Sequence, residues 1–298
     1  MAAARASTRP PRVGDSPSVR RALIGVVLVV GALFILAPLV VIFVQAFSQG
    51  FGVFAATLAH PDTRHAILLT VLTAALAVPV NTAFGIAAAW AITKFDFRGK
   101  RFLLVVIEVP FSVSPIVAGV AYLFVYGLQG LFGPALEAAD VKILFALPGI
   151  VLASMFVTAP FVARELIPLM QAQGRDLEEA ATSLGASGWR TFWSVTLPNI
   201  RWALLYGVVL CNARVMGEFG AVSVVSGNIR GQTNTLPLHI ELLYHDYQTV
   251  GAFAAASVLT VLAVFTIVAK ALLERQGAGR ARRPSLAGPA AKPAGGKA

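Results

Sequence analysis

RDLEEAATSLGASGWRTFWSVTLPN, residues 175–199, is the long polar interruption in the second half of a very hydrophobic chain. It is patterned. Asp176 precedes Glu179 by three places, the spacing of a reciprocal helix cap. Leu177, Ala180, Ala181 and Leu184 follow at i, i+3, i+4 and i+7, so they form one narrow apolar stripe. Gly185 stands where a left-handed helix stop belongs. Ser187 is placed to cap a second short helix, whose Trp189, Phe192, Trp193 and Thr196 share a face, and Pro198 is expected to end it. The expectation is two short helices meeting at a sharp angle, with small residues where something packs closely.

Composition sets the surroundings of this loop. Of 298 residues, 57% are hydrophobic and 13% charged, with a mean hydropathy of +0.76. A soluble domain of this size has no use for so much apolar surface, so an all-α polytopic membrane protein is expected. Six stretches are long enough to cross a bilayer: 22–47, 65–93, 102–126, 143–170, 202–225 and 250–273. The net charge of +10 does not point to nucleic acid, because the basic residues lie beside the spans. Segments 1–21, 94–101, 164–201 and 270–298 hold 20 Lys or Arg, and the three alternate segments hold 3, Arg64, Lys142 and Arg230. That asymmetry places both termini and the 175–199 loop in the cytoplasm. The first 21 residues have no cleavage-type site and are expected to remain as a cytoplasmic tail. Residues 274–298, rich in Ala, Gly, Pro and basic side chains, are expected to be disordered and to lie near anionic lipid.

Polar residues inside the spans mark candidates for chemistry. Span three reads VVIEVPFSVSPIVAGVAYLF, residues 105–124. Pro110 and Pro115 each remove a helix hydrogen bond, and Ser112 and Ser114 are placed to satisfy the freed carbonyls. An ionisable group at this depth, Glu108, marks a pathway by default, or snorkels to the inner headgroups and pairs with a loop arginine. In span five Arg214 sits about 20 Å along the helix from Arg201, near mid-membrane. Glu218 lies four residues on, where the two side chains pair. They either lock helices together or line the path, and Asn212 lies near them on another face. In span two, Asn81 and Thr82 suit hydrogen bonds between helices, with a place on the path as the alternative. Cys211 is a lone apolar filler. His239 and His245 have no partners at metal-ligand spacing, and no Gly-rich phosphate loop is present. With all four histidines on the outer side and no nucleophile elbow, an intramembrane hydrolase is excluded.

One resemblance rests on these residues. Glu179-Ala180-Ala181, three residues, Gly185, nine residues, then Val195-Thr196-Leu197-Pro198 resembles the EAA loop of bacterial ABC importer permeases, with Val195 where that family usually has Ile. The broken third span and the AR-x-x-GEFGA run from Ala213 to Ala221 look like the tetrahedral oxyanion branch. VVSGNIRGQTNTLPLHIELLYHDYQTVGAFA, residues 224–254, is similar to the W-type subunit of the sulfate/thiosulfate permeases. The resemblance implies a type I ABC importer permease fold, N-in and C-in, with cytoplasmic coupling helices and a permease core over 61–273, after a first span and outer loop at 22–60. It implies that Glu179, Ala180, Ala181, Gly185, Leu197 and Pro198 dock on an ATPase. It implies as partners a T-type permease subunit (CysT), two ATPase subunits (CysA) that use ATP and Mg, and a sulfate/thiosulfate-binding protein outside. No cofactor is expected on this chain itself. A molybdate or tungstate permease is the nearest rival; a channel or secondary transporter fits the hydropathy but leaves the loop unexplained.

Overall fold

The computed structural model describes residues 17–281; the tails expected at the two ends lie for the most part outside this range. Within it the chain is helical. The helices are α1 (Pro17–Ala46), α2 (Phe51–Ala59), α3 (Pro61–Lys94), α4 (Lys100–Ser112), α5 (Pro115–Tyr126), α6 (Gly133–Ala138) and α7 (Leu147–Gln173, interrupted at Ala159). They continue with α8 (Asp176–Ser183), α9 (Gly188–Met216), α10 (Gly220–Ser226), α11 (Leu236–His245) and α12 (Thr249–Ala281). By length and composition α1, α3, α7, α9 and α12 can each cross a membrane. The pair α4–α5, bent by 108°, counts as a sixth if it forms one broken span. The helix begins at Pro17, inside the expected N-terminal tail, and α12 runs to Ala281, eight residues beyond the end of the expected sixth span.

The long helix α3 is the spine. Its buried positions include Thr63, Ala66, Thr70, Thr73, Ala74, Ala77, Asn81, Gly85, Ala88 and Ile92, a stripe of small residues at helical spacing. Small side chains let α7 and α9 approach closely; a Cβ on Gly85 would stand 2.6 Å from that of Val162. Val162, Leu166, Met170, Ile200, Cys211 and Val215 complete the core against this stripe. Asn81, 2% exposed, donates to the Thr158 hydroxyl at 2.7 Å and to the Met155 carbonyl at 3.1 Å, and so ties α3 to α7. Thr82 does not bridge helices: its hydroxyl returns to Val78 O of its own helix, a bond always within reach of a helical threonine. In contrast, α1 offers apolar side chains outward along almost its whole length, and Ala46 is its buried position.

Pro198, expected to stop a helix, and Pro38 in α1 are each absorbed by a widened turn. Residues 32–36 and 192–196 each form a π turn, closed by Ala37 N–H to Ala32 O and by Leu197 N–H to Phe192 O. Pro38 and Pro198 follow immediately. Proline lacks an N–H and its ring clashes with the carbonyl four residues back; an extra residue in the preceding turn relieves both. Pro198 therefore lies inside α9. The expected second short helix of the loop is the first part of a 29-residue helix that becomes span five. The far end of that span also departs from expectation. It stops at Met216, and Gly217–Phe219 form a break before α10.

Candidate functional site

The 175–199 loop turns its apolar stripe outward. Leu177 is 55% exposed and Leu184 90%, and Trp189 and Trp193 also lie open. Gly185, at φ +86°, closes α8: its N–H donates to Thr182 O and that of Ala186 to Ala181 O, the paired bonds of a Schellman stop. The Ser187 hydroxyl accepts from Arg190 N–H and caps α9. The reciprocal cap expected of Asp176 and Glu179 does not form. The helix starts one residue early, with Arg175 at the cap, and Asp176, Glu178 and Glu179 all fall in its first turn, where acidic groups suit the helix dipole.

Sequence reasoning passed over the residues that hold this loop. Glu178 Oε1 lies 2.9 Å from Lys94 Nζ at the end of α3 and accepts a second bond from the Thr196 hydroxyl at 3.2 Å. Lys94 also donates to Gly174 O at 2.5 Å. Beside them Arg175 reaches Asp96 at 3.4 Å. Lys100 first, then Arg175, hold the exposed Asp96 carboxyl below the usual carboxylate range. Phe192 is buried against Trp90 of α3, ring centres 5.0 Å apart. Of the aromatic face expected on the second helix, Phe192 and Thr196 point inward and the two tryptophans outward. The separation of 84 positions between Lys94 and Glu178 explains why no local pattern foretells their pairing.

The second constellation lies in the spans. Arg214 Nη1 and Glu218 Oε2 pair at 2.5 Å, with the Glu218 side chain 1% exposed and that of Arg214 34%. The pairing is as expected, but Glu218 sits in the break after α9. From there its other oxygen accepts from Ala221 N–H at 3.0 Å and caps α10. One carboxylate thus holds a cation and a helix start together. Span three breaks as expected, at Val113–Ser114 just before Pro115, with a 108° bend, whereas Pro110 stays inside α4. The two breaks lie back to back. A Cβ on Gly220 would meet Pro115 at 2.9 Å, and one on Gly119 would meet Ala221 O at 2.8 Å. The remaining path candidates are not gathered there. Glu108, Ser112 and Ser114 are exposed on this chain and make no side-chain bond or ion pair among the described residues, so neither serine serves a freed carbonyl. Asn212 faces Met216 Sδ at 3.7 Å.

On the far side of the spine, the buried His239 shares a 3.0 Å hydrogen bond with Thr63, and burial pushes its pKa down. Leu236 N–H donates to Thr70. These bonds pin the 232–245 segment to α3. No group of three or more His, Cys, Asp or Glu placed to hold a metal occurs among the described residues.

The chain has informative relatives. It is 56% identical to the sulfate transport system permease protein CysW of Escherichia coli, over 85% of this chain and 87% of that one. A probable sulfate transport system permease protein cysT from Chlorokybus atmophyticus is 34% identical over 78% of this chain and 82% of its own. A bacterial alginate ABC transporter, crystallised with its periplasmic protein bound to an alginate pentasaccharide, shares the fold. Its TM-score is 0.71 at 17% identity, covering 89% of this chain and 96% of that one. Residues 81–277 match the family described as binding-protein-dependent transport system inner membrane component, and with these relatives beside that match the chain belongs to that family.

Proposed function

We propose that this chain is the W-type permease subunit of an ATP-driven sulfate/thiosulfate importer in the bacterial inner membrane. The observation that carries the proposal is the stripe of α8, apolar and open to solvent on a helix whose polar side is tied back to the spans. A solvent-facing apolar row rimmed by polar groups asks for a protein partner. The partner here is an ATPase, two copies of which receive the coupling loops of this chain and of a T-type permease. ATP and Mg act on those subunits. A substrate-binding protein delivers the anion from outside.

A dianion crossing an apolar bilayer needs donors and compensating charge. Arg214, with Glu218 at its side, supplies a cation whose charge is already neutralised, and Ser112, Ser114 and Asn212 supply hydroxyl and amide donors along spans three and five. Such a route passes an anion without holding it, and affinity resides in the delivery protein. Sulfate is favoured over molybdate by the 56% identity to a sulfate permease. The test is growth of a strain lacking its own sulfate permease, with sulfate as sole sulfur source. Expression of this chain with its partner subunits restores growth. Restoration of molybdenum-dependent growth instead would transfer the assignment to the molybdate branch.

A further inference from the structure

We infer that Glu178 is a positioning residue: it fixes the docking helix to spans two and five, so that movement of α8 is passed to both. The inference rests on the reading of α8 as the ATPase-coupling helix. Glu178 and Glu179 are neighbours on that helix and have separate fates. Glu179 is exposed and its carboxylate has no partner among the described residues. Glu178 faces the spans, and a single oxygen, Oε1, takes both Lys94 and Thr196.

Ion pairs on protein surfaces contribute little, because water screens them and long side chains must be ordered. This one differs in setting. The Lys94 and Glu178 side chains are 8% and 20% exposed, whereas Asp96, in the neighbouring pairs, is 79% exposed. Thr196, the other donor, is 2% exposed and ends the π turn that lets α9 pass Pro198. Lys94 also holds Gly174 O, in the turn that leads into α8. One carboxylate and one ammonium therefore join four pieces: the end of α3, the entry turn, α8 and the start of span five. Each piece alone can move against the others; joined, they move as a body.

The test uses the complete transporter in nanodiscs, with spin labels on cysteines placed at the exposed Arg98 and Ser183. Native Cys211 is fully buried, and its background is measured without the introduced cysteines. The inference predicts a narrow label-to-label distance distribution that broadens in E178Q. It also predicts sulfate moved per ATP hydrolysed falling about five- to tenfold, the scale of a lost coupling interaction, with the ATPase subunits still bound. T196V, which removes one donor without changing volume, gives an intermediate broadening that T196S reverses. It decides the matter if E178Q fails to accumulate. An unchanged distance spread and transport ratio in either variant would overturn the inference. A wild-type complex that binds its ATPase yet moves no sulfate would defeat the substrate assignment, and the distance measurement would still decide the role of Glu178.

Discussion

The 175–199 loop and the break at Gly217–Phe219 both interrupt apolar helices with acidic groups, and they set them in opposite surroundings. In the loop, Glu178 turns inward to Lys94 and Thr196 while Leu177 and Leu184 face solvent. In the break, Glu218 is sealed with Arg214 beside it, and packing is made by glycines meeting backbone and proline. The first arrangement leaves apolar surface for a partner to cover. The second satisfies a charge that the bilayer would otherwise exclude. The stripe of α8 thus leaves apolar surface bare, whereas the break seals its carboxylate.

Breaking that contrast at the loop has the largest expected effect. Leu184 is 90% exposed, so L184D changes the stability of this chain by no more than about 0.5 kcal/mol. It places a charge at the end of the stripe proposed to dock, and ATPase retained on copurification drops at least about tenfold. The break responds in the opposite way. E218A strands Arg214 and uncaps α10. Loss of a buried partner costs about 3–5 kcal/mol, lowered to about 2–3 here because Arg214 keeps some contact with water, and a thermal melt of the purified subunit reads the loss. ATPase binding is retained, and uptake falls with stability. R214A lowers uptake as well; normal uptake in R214A would remove that residue from the path.

The packing between the two breaks is tested more gently. G119A puts a methyl group 2.8 Å from Ala221 O and from Val224 Cβ, and overpacking of this kind costs about 1–3 kcal/mol, seen in the same melt. The smallest effect lies at His239 in α11. Burial holds the His239 pKa below its ordinary value of 6.5, so the unfolded chain binds the proton more readily than the folded one. Stability contributed by this residue is present above about pH 6.5 and declines as pH falls toward the folded value. Protection of the amides across 232–245, taken as exchange relative to each amide's intrinsic rate at that pH, falls on acidification, and His239→Gln removes the trend.

Much of this was legible before any coordinates. The stripe of α8, the left-handed Gly185, the Ser187 cap, the Arg214–Glu218 pair and the broken third span follow from spacing, because each depends on residues within one or two helical turns. What stayed hidden depends on longer reach or on backbone detail. Pro198 reads as a stop, but a π turn one residue earlier carries the helix past it. Asp176 reads as a cap, but the helix begins one residue sooner. The grip of Lys94 on Glu178 joins elements separated by spans three and four and has no local signature. The meeting of Pro115 with Gly220 likewise belongs to packing between distant segments.

The central claim is that the stripe on α8 faces the cytoplasm and is covered by an ATPase. A membrane-impermeant maleimide on Leu184→Cys tests both parts, since native Cys211 is buried. The account predicts labelling in inside-out vesicles, protection when the ATPase subunit is bound, and no labelling in right-side-out vesicles. Labelling from the outside, or full labelling with the ATPase bound, would contradict it.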